Sequence, residues 1–243
     1  MYAIFIKEFN SFFASLSGVI AAIVFLVVNG LFIWVFPGEL NVLDSGYANL
    51  DTLFMIAPWV FLFLVPAVAM RTFSEEKRTG TIELLLTRPL SDTKLVLGKY
   101  FAVLVLVVVI LVPALFFYLS VYLLGNPVGN IDTGGTWGSF IGLFFLASGY
   151  AAISVFASSL SHNQIVSFIL GVVLCFLLYI GIELLAALHI FKEIEHIIVS
   201  MGINEHYKSM SRGVIDTRDM VYFFGLVALF ILFTRTAIQS RKW

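Results

Sequence analysis

Charge is scarce in this chain of 243 residues: Asp, Glu, Lys and Arg together make up 12 % of it, about half the share in an ordinary soluble domain. The formal net charge of -1 excludes the basic surface that nucleic-acid binding requires. Cysteine is almost missing. A single Cys175 inside an apolar run cannot form a disulfide within the chain and reads as a small buried hydrophobe. No Gly-x-x-x-x-Gly-Lys-Ser/Thr loop occurs, so P-loop nucleotide binding is excluded. His162, His189, His196 and His206 are scattered without metal-ligand spacing, and no metal site is expected. Glu75-Glu76 would suit an intramembrane protease of the Glu-Glu-x-x-x-Arg type, but Gly80 stands where the arginine is needed. What remains is apolar: 60 % hydrophobic residues and a mean hydropathy of +1.02. Such a chain needs a nonaqueous solvent, and the class expected is an all-α integral membrane protein.

A span takes about 20 mostly apolar residues. Runs of that kind lie near 17–36, 52–71, 96–124, 136–160, 164–188 and 219–238, which predicts six transmembrane helices in one transmembrane domain covering 1–243. The first run is too long for a signal-peptide core and lacks a small-residue cleavage site after it. Arg71, Lys77, Arg78, Arg88, Lys94 and Lys99 flank or fill the connection between spans two and three, and Arg241 and Lys242 end the chain. The connections 37–51 and 125–135 hold no Lys or Arg. The positive-inside rule therefore puts both termini and the 72–95 segment in the cytoplasm of a bacterial inner membrane. The connection 189–217, with Lys192, Lys208 and Arg212, lies outside by helix parity.

Residues 1–16 carry a separate pattern. Tyr2, Phe5, Ile6, Phe9, Phe12, Phe13 and Leu16 share one helical face and Lys7, Glu8, Asn10 and Ser11 the other, as in a helix lying in the membrane interface before span one. The alternative is a plain extension of the first span. Within the spans the ionisable residues are Glu183 and Arg235. Arg235 is placed to snorkel to the inner headgroups and Glu183 to reach outer water. A carrier driven by protons or sodium would need carboxylates or broken helices near the midplane, so the energy source is expected on another polypeptide. Gly138, Gly142 and Gly149 line one side of span four, for close packing within the chain or, alternatively, a dimer face.

The stretch from Ser74 to Ser91 is the most informative. A charged turn precedes a short helix, with Thr81 as its cap, Glu83 in its first turn and Pro89 as its stop, and Ser91 or Asp92 caps the following helix. Ile82, Leu84, Leu85 and Leu86 make that helix too apolar for a solvated connector, so a partner, the membrane surface or the span bases should cover it. Glu76-Lys77-Arg78-Thr79-Gly80-Thr81-Ile82-Glu83-Leu84-Leu85 through Pro89, followed by Val96-Leu97-Gly98-Lys99, resembles the ABC-2 type transporter permease family. The outer segment Ser211 through Phe223 and the ending Ser240-Arg241-Lys242-Trp243 are similar to the branch of that family associated with gliding motility.

The resemblance implies that residues 1–16 are an elbow helix and that residues 79–88 are a coupling helix docking onto an ATPase. Glu75, Glu76, Lys77, Arg78, Thr79, Gly80 and Thr81 would form its charged edge, Glu83 a polar contact, and Leu84, Leu85 and Leu86, stopped by Pro89, a packed lever. It further implies an outer gate in 189–217, with Ile194, Ile197, Ile198, Met201, Arg212, Gly213, Asp216 and, at its exit, Asp219. The partners implied are two ABC ATPase subunits carrying ATP and Mg, a second permease copy or a related membrane subunit, an auxiliary gliding-type membrane protein, and the lipid bilayer. The chain itself would bind no cofactor and catalyse nothing. An ATPase-independent scaffold for a motility or secretion apparatus is the competing reading.

Overall fold

The computed structural model describes residues 2–13, 16–81, 83, 91–187 and 195–240, and among these all regular structure is helical. The first helix, α1, spans Tyr2–Phe13, and α2 spans Leu16–Trp34. Then come α3 (Asp51–Arg78), α4 (Asp92–Leu124), α5 (Thr133–Leu160) and α6 (Gln164–Ala186). Two short outer helices, α7 (Glu195–Val199) and α8 (Ile203–Met210), precede α9 (Thr217–Gln239). By length and composition α3, α4, α5, α6 and α9 can each cross a bilayer, and α2 supplies a shorter apolar stretch, Gly18–Trp34.

Local chemistry sets the helix starts. Asp132 accepts from the Gly135 N–H, Asn163 from Ile165 and Asp216 from Arg218, each at 2.9 Å, which satisfies first-turn donors of α5, α6 and α9. Neither proposed cap of α4 acts as one. Ser91 occupies the cap position without a side-chain cap bond. Asp92 instead accepts from Gln239 Nε2 at 3.1 Å, tying the start of α4 to the end of α9.

Helix α5 is the hub. It is the most enclosed of the long helices, and α3, α4, α6 and α9 all pack on it. Small residues allow the approach: Gly149 meets Leu226 and Phe223 of α9, and Gly171 of α6 meets Pro66 of α3. Gly138 and Gly142 face Gly213 and Met210, so all three span-four glycines serve packing within the chain. Two helices are irregular. Helix α4 passes through a 3-10 turn at Val112–Ala114, where Pro113 breaks the ladder. Helix α6 carries a π turn at Leu177–Gly181.

The largest departure from expectation is at the inner end of α3. Span two was placed at 52–71 with a charged turn after it; the helix instead continues through the charges to Arg78. Its ladder falters at Met70, one turn after Pro66, and the hydroxyl of Ser158 on α5 takes over. The N–H groups of Phe73 and Ser74 donate to Ser158 Oγ at 2.9 and 3.2 Å, while that hydroxyl donates to Met70 O at 2.9 Å. A side chain that replaces missing backbone bonds is what lets such a break persist among apolar helices.

Candidate functional site

At the Arg78 end of α3, which the sequence places inside, three elements meet around a buried cation. Glu76 points from α3 toward α4. Its Oε1 accepts from Lys7 of α1 at 3.0 Å, and its Oε2 lies 2.8 Å from Lys99 of α4, an ion pair without hydrogen-bond alignment. Lys99 is 0 % exposed. It also reaches Glu8 of α1 at 2.9 Å, donates to Thr72 O, and sits 4.9 Å from the centre of the Phe73 ring. A buried ammonium survives only with its charge matched and its donors occupied, and here two carboxylates and a carbonyl do so. Lys7 and Glu8 thereby tie α1 to α3 and α4, although Lys7 stays largely exposed and Asn10 and Ser11 face outward. Burial works against the charge on Lys7, but the Glu76 hydrogen bond and the fields of Glu76, Glu8 and Glu75 outweigh it and raise its pKa.

The opposite side of the same α3 segment is held by α5, where Lys77 donates to Ser159 O. Glu76 and Lys77 are thus both turned inward and buried. This corrects the expectation of one continuous charged edge: their ionic groups are used inside the chain. The groups left facing outward are Glu75, Arg78, Thr79, Gly80, Thr81 and Glu83. Gly80, at φ 71°, ends α3 in the left-handed conformation that a helix C-terminus favours. Thr81 and Glu83 are again helical, and Thr81 bonds back to Glu76 O and to Thr79 Oγ1. Leu84, Leu85, Leu86 and Pro89 lie outside the described residues.

A second polar cluster closes the opposite end, which the sequence places outside. Helix α8 folds back onto α5 and the start of α3. Ile203, Tyr207 and Met210 are buried, Tyr207 donates to Phe54 O at 2.8 Å, and Ser139 donates to Ser211 O at 2.9 Å. A Cβ on Gly138 would meet Gly213 O at 2.4 Å, and Gly213 itself stands at φ 81°. Glycine at both positions lets the 211–213 turn lie directly on α5. Asp219 is buried in the first turn of α9, paired with His206 at 2.8 Å and bonded by Ser209. Asp216 is the exposed cap of that helix, and Arg212 is exposed.

Ile197 and Met201 are 65 % and 63 % exposed, Ile198 is half-buried and Ile194 lies outside the described residues, while the buried contacts named above belong to the next helix. Glu183, at the outer end of α6, accepts from Lys208 at 2.6 Å and Asn204 at 2.7 Å. Arg235 is exposed one turn before the end of α9. Lys99, Lys7 and Glu8 are the site residues missed from the sequence. The available signal was a lysine in the span-three run, whose charge demands a buried partner.

Long apolar helices packed on a central one, with ionic clusters near their ends, define a multi-pass membrane protein. The ABC-2 family transporter protein family matches residues 13–181, well over half of the sequence, and the chain belongs to that family. It is a membrane permease component of an ABC transporter, a class that associates with an ABC ATPase subunit. A comparison with curated proteins finds no significant match.

Proposed function

We propose that this chain is the permease subunit of an ATP-driven exporter of the gliding-motility or surface-secretion type. Two copies, or one with a related membrane subunit, would work with two ATPases and an auxiliary membrane protein. Helix α2 serves as the first of six spans, α1 as the elbow helix, and both termini lie in the cytoplasm of the inner membrane. The 79–88 segment receives the ATPase, and the loop from 189 to 217 gates the outer side.

One observation carries this reading: the outward residues Glu75, Arg78, Thr79 and Thr81 sit on a rigid continuation of α3 whose inward residues bind α1, α4 and α5. A push on that segment has no loop in which to dissipate. The test is ATP turnover of the chain purified with its neighbouring ATPase in lipid nanodiscs, for the wild type and for the double variant Glu83→Ala, Leu85→Asp. Dissociation of the ATPase or uncoupled turnover is the expected result. If no ATPase associates, or if the variant assembles and turns over as the wild type, the scaffold reading replaces this one.

A further inference from the structure

Beside the ionic cluster lies a cavity of about 280 Å³ that opens between α1, α3 and α4. Of its charged residues, Lys7, Lys99, Glu8 and Glu76 neutralise one another, two cations against two anions. Arg71 and Glu75 are left over. They are exposed, one helical turn apart on α3, and among the described residues neither side chain has an ion-pair partner within 4 Å. Glu75 feels Lys7 only at longer range. The exposed hydroxyl residues Thr79 and Thr81 complete this polar rim.

Phe12 and Val68 line this cavity and also a second one, an almost wholly apolar groove of about 660 Å³ between α2 and α3. Ile20, Val24, Trp59, Phe63 and Phe168 line that groove. Phe12 and Val68 are thus a wall that the two spaces share, one polar beside the charged end of α3 and the other apolar along the helices. From Arg71 up to Trp59 the helix rises about 18 Å, close to the roughly 15 Å depth of one hydrocarbon leaflet.

We propose that this pair of spaces binds one phospholipid of the inner leaflet with a zwitterionic, primary-amine headgroup, a phosphatidylethanolamine. The Arg71 guanidinium takes the phosphate in the bidentate manner suited to it. Glu75, a turn nearer the cytoplasm, accepts from the ammonium, helped by the hydroxyls of Thr79 and Thr81, and an acyl chain fills the groove. A phosphatidylcholine headgroup has no N–H to donate, and a phosphatidylglycerol headgroup brings no cation to Glu75. One free cation and one free anion therefore select the zwitterion that can hydrogen-bond at both ends. The site rests on the orientation proposed above but not on any ATPase contact.

Trp59 provides the readout. The full chain carrying Trp34→Phe, Trp137→Phe and Trp243→Phe is placed in phosphatidylcholine nanodiscs doped with phosphatidylethanolamine, phosphatidylglycerol or phosphatidylcholine brominated on the acyl chain. Half-maximal quenching of Trp59 is expected at about fivefold less brominated phosphatidylethanolamine than either other lipid. Glu75→Gln should erase the advantage over phosphatidylcholine. Arg71→Gln should weaken quenching by all three, and Arg71→Lys, which keeps the charge, should retain part of the preference. Equal quenching by the three lipids means ordinary annular contact and overturns the site. Preference for phosphatidylglycerol overturns the headgroup assignment, and absence of quenching means that another surface, such as a second copy, covers the groove. ATPase association, measured separately on the same preparation, tells failure of this site from failure of the permease reading.

Discussion

The two ends of the molecule hold their charges in opposite ways. At the inner end, Lys99 is fully enclosed and its ion pairs join residues that are far apart in sequence, Glu8 on α1 and Glu76 on α3. At the outer end, Glu183 and Lys208 pair with side chains 39 % and 45 % exposed, and the partners are separated by only 25 positions. Water screens the outer pair, and exposed pairs of this kind contribute about 0–1 kcal/mol. The inner pairs have no such substitute, because separating them would leave a bare charge among apolar helices. The inner end is therefore built to stay joined and to move as one piece. The Glu183–Lys208 pair can exchange its contact for water at little cost, whereas the Asp219–His206 pair of the same cluster is buried.

The sharpest way to break this contrast is to remove the central cation. Lys99→Met leaves Glu76 and Glu8 without their buried partner and should destabilise the protein by about 3–5 kcal/mol, read from thermal unfolding in detergent. Adding Glu76→Gln to Lys99→Met should recover part of that loss, since the stranded charge is then gone. If Lys99→Met unfolds with the wild type, the inner cluster is solvated and the contrast between the ends disappears.

A steric test sharpens the outer half. The exposed Glu183–Lys208 pair there is weak, but the 211–213 turn is seated backbone to backbone on α5, where a Cβ on Gly138 would lie 2.8 Å from the Gly213 Cα as well as against its carbonyl. Neither atom belongs to a flexible side chain that could swing away. Gly138→Ala should cost about 1–3 kcal/mol and should loosen α8, seen as faster hydrogen exchange at Tyr207 to Ser211 with α3 and α4 unaffected. An unchanged exchange pattern would mean that the turn shifts freely on α5 and that no part of the outer end is rigid.

How far the sequence reaches follows from the same contrast. Hydropathy finds the long helices, since about 20 consecutive apolar residues have no other stable use, but it ends α3 at 71 instead of Arg78. The glycines of α5 announce close packing by their spacing alone. The inner site is only half legible. Glu75 through Thr81 are recognisable as a charged segment, yet the pattern cannot show that the helix runs on to Arg78, because the Met70 break is repaired by Ser158, more than 80 positions away. Nor does it show that the polar side of α1 is also a contact: Lys7 stays mostly exposed, as the pattern suggests, yet it and Glu8 pair with Glu76 and Lys99. Periodicity reports that a face is polar, not whether water or an opposite charge satisfies it.

The smallest expected effect is at Glu183, which looked from the sequence like the one carboxylate inside a span. Its oxygens face Lys208 and Asn204 near the outer water, and its side chain is more than one third exposed. Glu183→Gln keeps an acceptor for Asn204 and gives up only the charge on the Lys208 contact. That should cost about 1 kcal/mol or less, a shift in Tm of no more than about 2–4 °C in a chain of this size. ATP turnover of the assembled complex should not change. A carrier that moves protons or cations on this carboxylate requires the opposite, a folded protein whose transport is lost with Glu183→Gln while substitutions in 75–86 are harmless. Measuring both variants in one preparation separates the two mechanisms, because each predicts that the other's essential residue is dispensable.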